Sequence, residues 1–471
     1  MRYLRRFEQN EVELGERLGA GGEGAVHEVR GRPREVVKIY HTPTDDITRA
    51  VLEERSRKLP AMVNLFRREK ILADEVVHGK NHQLLTWPID VIDSPAGEFL
   101  GFIMLRAEGT AGIQRLYMHE LRSREAGLAQ VDPYFLHQLA MNLCKAVLAV
   151  HRSGCVIGDL KASNLMATPD GLLTILDTDS FQVRDPDSGV VFRCPVSSDE
   201  YRPPELKSTD VEISETHDRF VLAILVFQIL MEGQHPFAAK YTGARADDQD
   251  DPSLQDRIDM GQFPHFHSAG NPWEIPPNLL SMNILHSELR DLFRRCFVDG
   301  HAHPERRPRP EDWLKTLRAL VEDRSRWRQC SLHARHVHNA GLGQCPWCAL
   351  AMSEEEHFPS PPPRDLPAME RELPRHPSAR PPLESPAPPV ESAVLLVDPT
   401  PPSPNQEQRI STPPIPTDRR VSTPPNPTDR RISTPPHPPD GAGQWLSTAA
   451  IVFLIVLVVL IIMAVAMSSQ R

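Results

Sequence analysis

Three polar residues in the segment HRSGCVIGDLKASNL have the types and spacing that chemistry on a phosphate requires. Asp159, Lys161 and Asn164 fit the pattern D-x-K-x-x-N, and Asp177 follows Asn164 by 13 residues, after the apolar run LLTIL. A carboxylate can accept or orient the proton of a hydroxyl group, and a lysine can neutralise a transferred phosphate. Amide and carboxylate oxygens bind Mg²⁺. We therefore expect Asp159 and Lys161 to be catalytic, and Asn164 and Asp177 to hold the metal ion.

A glycine pattern near the N-terminus offers a phosphate-binding element. Gly19, Gly21 and Gly24 fit G-x-G-x-x-G and are followed by Val26. Glycine lacks a Cβ atom, so the backbone can approach a polyphosphate closely. The residues after Gly24 indicate a strand, whereas a dinucleotide-binding turn continues into a helix. The pattern therefore predicts a β-hairpin. Lys38 follows in the apolar run EVVKIY, where a lysine either extends to the edge of the sheet or pairs with an anion.

These elements resemble the ATP-binding hairpin, strand lysine and catalytic loop of protein kinases. The strings VIGDLKASNL, DTDSFQV and RCPVSSDEYRPPEL, with a later CPWC, are similar to a bacterial subfamily of Hanks-type serine/threonine kinases over roughly residues 12–350. The resemblance implies a bilobal α+β kinase fold at residues 10–322 that binds ATP with Mg²⁺ or Mn²⁺. It also implies that Lys38 is a catalytic residue with a glutamate partner on a helix at residues 46–66. Glu53, Glu54 and Glu69 are available, and we choose Glu54.

Two departures from most kinases stand at the predicted site. Ile157-Gly158 replaces His-Arg before Asp159, so the arginine that reads a phosphorylated activation loop is missing. The metal-binding triplet is D-T-D, in which Asp179 replaces the usual glycine. Asp179 either adds a second carboxylate to the metal site or caps a turn. We count it among the expected magnesium ligands.

Three further residues match structural positions of the same family. EYRPPEL supplies Glu205, RPRPEDW supplies Arg307, and Asp218 begins a long apolar run. The resemblance implies that Glu205 pairs with Arg307. All three residues are expected to hold the C-terminal lobe together.

A cluster of cysteine and histidine occupies residues 325–352. Cys345 and Cys348 in CPWC can place two thiolates on one tetrahedral ion, and Cys330 with one histidine would complete the set. By position against the related kinases, we choose His336. We favour the interpretation that these four residues bind a structural Zn²⁺. A redox CxxC pair, which needs a thioredoxin-like setting, and free buried cysteines are the alternatives.

Composition separates the rest of the chain from this enzyme-like part. Twenty-six of the 47 prolines lie in residues 356–440, so residues 353–444 are predicted to be a disordered linker. The formal net charge of −10 gives no support to a nucleic-acid partner.

An 11-residue repeat begins at Arg409 and recurs twice. It is either a duplicated spacer or a set of sites for a phosphopeptide-reading domain, at Thr412, Thr423 and Thr434.

An apolar segment closes the sequence. Residues 449–467 are 19 apolar residues without a charge, and a helix of that length spans ~28 Å, close to the thickness of a bilayer core. We predict a transmembrane helix at residues 447–467. The N-terminus shows no signal peptide, so we expect a single-pass, C-terminally anchored protein of the inner (cytoplasmic) membrane, with its kinase domain in the cytoplasm.

The favoured function is an ATP-dependent serine/threonine protein kinase tethered to the membrane. The main alternative is a pseudokinase scaffold that binds nucleotide and recruits partners through the proline-rich repeats. The D-T-D triplet and the missing His-Arg favour the scaffold, whereas the presence of Lys38, Asp159, Asn164 and Asp177 favours the enzyme. A small-molecule kinase of similar fold is a third hypothesis.

Overall fold

A computed structural model of the chain describes most of residues 2–359. The described ranges are 2–69, 75–77, 80–107, 111–122, 128, 131–194, 198–206, 212–242, 252–266, 272–276, 279–352 and 356–359. Of the predicted linker at residues 353–444, residues 356–359 are described, whereas its repeats and the predicted transmembrane helix lie outside these ranges. Within these ranges, no helix is long and apolar enough to cross a membrane.

The N-terminal part is an antiparallel sheet of six strands. They are β1 (Arg2–Arg5), β2 (Glu11–Ala20), β3 (Gly24–Val29), β4 (Arg32–Tyr40), β7 (Pro88–Asp93) and β8 (Phe99–Leu105). The order β1-β2-β3-β4-β8-β7 closes on itself, because β1 pairs with both β2 and β7. Val37, Ile92 and Ile103 belong to the apolar cluster that fills this barrel. A short hairpin, β5 (Glu75–Val77) and β6 (Lys80–His82), precedes β7.

Strand β1 lies before residue 10, where the predicted kinase domain begins. Arg5 on this strand is 1% exposed, and its guanidinium group lies 3.0 Å from Asp90 Oδ2 and 2.9 Å from Glu35 Oε2. Burying a charge is costly unless it is paired in this way. The folded unit therefore includes the residues that precede the predicted boundary.

Helix α1 (Asp46–Glu69) packs against the sheet and confirms the helix predicted at residues 46–66. The C-terminal part is mainly helical. Its helices are α2 (Gln114–Tyr117), α3 (His119–Arg122), α4 (Pro133–Arg152), α5 (Glu215–Leu230), α6 (Leu254–Asp259), α7 (Ser287–Arg294) and α8 (Pro310–Glu322). Helix α4 starts where the Asp132 side chain accepts a hydrogen bond from the Phe135 N–H at 2.7 Å, with Pro133 in its first turn. Helix α5 is apolar on nearly every face and is buried at the centre of this part.

Short strands complete the C-terminal part. They are β9 (Ala111–Gly112), β10 (Leu165–Ala167), β11 (Leu173–Ile175), β12 (Val183–Arg184), β13 (Val191–Phe192), β14 (Lys240–Tyr241) and β15 (Trp273–Glu274). β10 and β11 form the hairpin between the two halves of the predicted catalytic stretch. Asp218 lies in the first turn of α5, as the sequence indicated.

The Cys/His segment folds as a hairpin and a helix: β16 (Trp327–Gln329), β17 (Val337–Asn339) and α9 (Pro346–Ala351). The chain beyond it returns to the helical part. The ring of Phe358 is 1% exposed, lies 4.8 Å from the Trp347 ring, and is covered by the Arg122 guanidinium group at 4.5 Å. Arg122 also donates to the carbonyl of His357 at 2.8 Å. Residues 356–359 are thereby anchored.

Candidate active site

The β2–β3 hairpin carries the predicted phosphate-binding glycines. The Gly21 N–H donates to the carbonyl of Gly24 at 2.9 Å and closes the turn. A Cβ atom at Gly24 would lie 2.3 Å from the carbonyl oxygen of Ile39, so no side chain fits there. At Gly19 and Gly21, no described atom lies within 4 Å of such a Cβ atom. This side of the hairpin is therefore open to a ligand.

Lys38 lies on β4 directly opposite Val26 on β3. Its Nζ atom is 2.8 Å from Asp177 Oδ1, 2.9 Å from Asp179 Oδ2 and 3.3 Å from Glu23 Oε2. Burial alone would lower the pKa of Lys38, but the three carboxylates outweigh burial and raise that pKa above its ordinary value. The lysine is therefore fully charged at neutral pH.

Helix α1 does not supply the acidic partner that the sequence predicted for Lys38. Glu54 is absent from the ion pairs that Lys38 makes within the described ranges. The helix presents Arg55 instead, with Nη2 3.2 Å from Glu23 Oε1 and Nη1 4.0 Å from Asp179 Oδ2. The choice of Glu54 is wrong because the rotation of the helix places its neighbour, Arg55, on the buried face.

Lys58 lies about one turn after Arg55 on the same helix and is 1% exposed. Its Nζ atom has no hydrogen-bond partner within the described part of the chain. Burial, helped by the charge of Arg55, lowers the pKa of Lys58 to about 8. Helix α1 thus contributes positive charge, not negative charge, to this side of the site.

The two carboxylates of the D-T-D triplet have different surroundings. Asp177 has a left-handed backbone (φ 56°), and its side chain is 39% exposed. Asp179 is buried, and its Oδ2 atom accepts a hydrogen bond from the Tyr40 hydroxyl at 2.6 Å. Burial opposes ionisation of Asp179, but Lys38 and Arg55 hold its pKa below the ordinary range. Burial and the charge of Asp179 raise the pKa of Asp177.

Asp159, Lys161 and Ser198 form a closed triangle of polar contacts. Lys161 Nζ lies 2.6 Å from Asp159 Oδ2 and donates to Ser198 Oγ at 3.2 Å. The Ser198 hydroxyl donates to Asp159 Oδ1 at 3.0 Å. Asp159 and Lys161 were predicted from the sequence. Ser198 was not predicted, because no spacing distinguishes it from the other residues of the polar run SSDE.

Asp218 holds the backbone that carries Asp159. Its carboxylate accepts hydrogen bonds from the N–H groups of Ile157 at 2.8 Å and Gly158 at 2.9 Å, and it contacts His151 Nε2 at 2.9 Å. Gly158 has φ 74°, and a Cβ atom there would lie 2.6 Å from Cys194 Sγ. The departure from His-Arg therefore has a structural reason, since only glycine suits this conformation and this close approach.

The predicted pair of Glu205 and Arg307 is confirmed. The guanidinium group of Arg307 donates to the two carboxylate oxygens of Glu205 at 2.6 Å and 2.7 Å, and to the carbonyl of Gly300 at 2.9 Å. Arg307 is 1% exposed, and its guanidinium carbon lies 4.8 Å from the centre of the Phe220 ring. The segment that follows the catalytic residues is thus fixed to the helical part.

Asn164 and Asp177 are the predicted magnesium ligands. The Asn164 amide donates from Nδ2 to the carbonyl of Asp159 at 3.2 Å, which leaves its oxygen as the atom that would bind a metal ion. The half-exposed carboxylate of Asp177 would supply the other oxygen. Glu23, Asp177 and Asp179 also place carboxylate oxygens within 4.8 Å of one another.

Cys330, His336, Cys345 and Cys348 come together as the sequence predicted. Cys330 Sγ is 3.5 Å from Cys348 Sγ, and His336 Nδ1 lies 3.3 Å from Cys348 Sγ and 3.7 Å from Cys345 Sγ. These are edge lengths of a tetrahedron around a zinc ion with bonds of about 2.0–2.3 Å. Burial lowers the pKa of His336 and favours the neutral imidazole that binds metal. Its Nε2 atom is 2.7 Å from Glu356 Oε1, an outer carboxylate of the kind that orients zinc-bound histidine.

Comparison with known proteins agrees with this geometry. The family model described as "Protein kinase domain" matches residues 114–316. Two curated relatives, both named "Protein kinase YegI", are 28% identical over 345 residues (Escherichia coli K12) and 27% identical over 347 residues (Escherichia coli O157:H7). Each alignment covers 72% of this chain and 48% or 49% of the relative, so the chain spans about half the length of the curated relatives it matches.

Among solved structures, the ROP18 kinase domain in complex with AMP-PNP and sucrose matches 68% of this chain and 84% of its own, with 17% identity and a TM-score of 0.43. The family match begins at the first residue of α2 and ends within α8. It therefore includes the catalytic loop, the D-T-D triplet and the pair of Glu205 and Arg307. Over residues 114–316, the family match supports a protein-kinase-like fold.

Proposed function

We propose that this chain is an ATP-dependent protein kinase that transfers the γ-phosphate to serine or threonine hydroxyls. The triangle of Asp159, Lys161 and Ser198 carries the proposal. It shows that a short hydroxyl side chain can reach the carboxylate and the lysine together. The same pair of side chains would orient the hydroxyl of a protein substrate and neutralise the phosphate that moves to it.

Each half of the site has a distinct task in this proposal. The open β2–β3 hairpin and Lys38 bind the phosphates of ATP, and Asp159 takes the proton of the acceptor hydroxyl. Asn164 and Asp177 would hold Mg²⁺, which neutralises charge on the phosphates. Lys161 faces the transferred group. Asp218 accepts hydrogen bonds from the N–H groups of Ile157 and Gly158 and so keeps the loop that carries Asp159 in position.

Phosphate transfer by the full-length chain in detergent tests this proposal. The chain is incubated with labelled ATP, Mg²⁺ and a mixture of protein acceptors, beside Lys38→Ala. Label on serine and threonine, absent from the Lys38 variant, is the expected result. Label on tyrosine alone would refute the hydroxyl specificity. Equal label in both chains would favour the scaffold hypothesis. Label on small molecules alone would favour the hypothesis of a small-molecule kinase.

We also propose that the Cys/His cluster holds a structural Zn²⁺, since four protein ligands would leave no open position for catalysis. The expected zinc content is one equivalent per chain. His336→Gln and Cys345→Ser are expected to abolish it, and Glu356→Gln to weaken zinc affinity about 10–100-fold. Zinc is measured by elemental analysis and by titration with a chelator. His303→Gln is the matched control, since His303 is exposed and outside the cluster. Full zinc content in His336→Gln would exclude this ligand set.

The repeats and the apolar segment complete the proposal from sequence alone. Anchoring by residues 447–467 would keep the kinase domain at the cytoplasmic face of the membrane, and resistance of the chain to carbonate extraction checks this. We expect autophosphorylation at Thr412, Thr423 and Thr434, each of which follows an Arg-x-Ser sequence. Mass spectrometry of the labelled chain measures it, with Thr417 and Thr428 as internal controls. Label confined to residues before 350 would exclude these sites.

A further inference from the structure

The acidic partner of Lys38 lies on the segment after the β10–β11 hairpin, not on helix α1. Asp179 sits in a short turn at residues 178–180, and its side chain is 1% exposed. Both of its oxygens contact Lys38 Nζ, at 3.1 Å and 2.9 Å. A buried carboxylate with two such contacts fixes the ammonium group in one place.

Helix α1 offers the opposite charge on the same side. Arg55 and Lys58 are both buried, and Arg55 Nη1 and Lys58 Nζ have no hydrogen-bond partner within the described ranges. Lys38 contacts Asp179, Arg55 Nη1 lies 4.0 Å from Asp179 Oδ2, and Lys58 is on the same face of the helix as Arg55. Removing this carboxylate would leave Lys38 and Arg55 with only the more exposed carboxylates of Asp177 and Glu23 as partners. Asp179 is therefore the buried negative charge of this group.

The contacts of Asp179 leave little for a metal ion. Its Oδ2 atom already receives hydrogen bonds from Lys38 and from the Tyr40 hydroxyl at 2.6 Å. Asp177 instead has one oxygen on Lys38 and a side chain that is 39% exposed. The turn that carries Asp179 is also fixed in place, because the Thr178 hydroxyl donates to the carbonyl of Thr86 at 2.8 Å.

We propose that Asp179 is the positioning residue of Lys38 and takes the role for which the sequence favoured Glu54, while the metal ion is left to Asn164 and Asp177. The inference rests on the proposed function, because it concerns how the same nucleotide site is assembled. Its consequence is that Lys38 is placed by the turn after the catalytic hairpin. Helix α1 then does not have to deliver a carboxylate for the site to be complete.

The test compares Asp179→Asn with Asp177→Asn in the full-length chain. Steady-state rates are measured against ATP and against Mg²⁺, alone and combined with Lys38→Met. Thermal unfolding with ADP, with and without Mg²⁺, gives a second readout that needs no catalysis. Asp187→Asn is the control, since Asp187 is half-exposed and pairs with Arg68 away from Lys38.

Asp179→Asn is expected to lower kcat/KM at least about tenfold, with the Mg²⁺ midpoint within about twofold of wild type. The double variant Asp179→Asn/Lys38→Met should be no worse than Lys38→Met alone. It should keep the extra thermal stabilisation that Mg²⁺ gives to the ADP complex. Asp177→Asn should raise the Mg²⁺ midpoint and lose that stabilisation. Asp187→Asn should match wild type in every measurement.

Three results would overturn the inference: an Asp179→Asn chain that loses the Mg²⁺ effect as Asp177→Asn does, losses that multiply in the double variant, or unchanged kinetics. If Asp179→Asn does not fold, the double variant Asp179→Asn/Arg55→Gln removes one cation with the carboxylate and is judged by the same measurements. A wild-type chain that neither binds ADP nor transfers phosphate would refute the proposed function itself. A working wild type with a metal-defective Asp179→Asn refutes only the positioning role.

Discussion

Asp159→Asn is expected to lower the rate of phosphoryl transfer by a factor of about 10²–10⁴, the range found when a positioned acid or base is removed. Asparagine keeps the shape of the side chain and can still accept a hydrogen bond from Ser198, but it cannot take a proton. The KM for ATP should change little, because Asp159 lies against Lys161 and Ser198 and not against Lys38. Steady-state rates with labelled ATP at saturating acceptor measure both quantities.

The control for this variant is Asp46→Asn. The Asp46 side chain is 96% exposed at the start of helix α1, so the same chemical change there should leave the rate at the wild-type level. A wild-type rate in Asp159→Asn would contradict its role as proton acceptor. Loss of folding is excluded by comparing the thermal unfolding of the two variants.

Arg307→Met is expected to lower the free energy of unfolding by about 3–5 kcal/mol, the usual cost of breaking a buried ion pair by removing one partner. Arg307 is buried and makes a two-pronged contact with Glu205. Besides Arg307, Glu205 contacts His217 Nε2 at 3.4 Å. The Glu205 side chain is 22% exposed, so water offsets part of the loss and the lower end of the range is expected. Urea unfolding of the full-length chain measures the change.

Arg294→Met provides the comparison for that prediction. Arg294 also pairs with a carboxylate, Asp299 at 3.2 Å, but its side chain is 47% exposed. Exposed pairs contribute about 0–1 kcal/mol, so this variant should remain close to wild type. The double variant Glu205→Gln/Arg307→Met should recover part of the lost stability, because no charge is left unpaired. Equal small effects at Arg307 and Arg294 would show that the pair of Glu205 and Arg307 adds little.

The catalytic stretch could be predicted because its residues lie close together in the chain. Asp159, Lys161 and Asn164 share one loop, and Asp177 follows one hairpin later, so spacing alone brings them to one site. The four residues of the Cys/His cluster could be predicted for the same reason, since they lie within 19 positions of one another. The pair of Glu205 and Arg307 is far apart in sequence, and only the resemblance to a known family linked the two residues.

Contacts between distant elements could not be predicted in this way. The choice of Glu54 failed because a one-residue rotation of helix α1 exchanges an acid for Arg55 at the buried face. Asp179 was left between two roles because its burial and its contact with Tyr40 depend on how strand β4 meets the turn. Ser198 lies 39 positions after Asp159 in the sequence, so their contact depends on tertiary packing that spacing does not reveal.

The anchored residues 356–359 determine where the polypeptide can be shortened for crystallisation. A chain that stopped at residue 352, the end of the predicted Cys/His module, would lose the ring of Phe358 that covers Trp347 and would uncover the buried side chain of Arg122. It would also lose Glu356, the carboxylate that contacts His336. A stop codon after residue 359 keeps all three contacts, so it marks the shorter product most suited to expression and crystal growth.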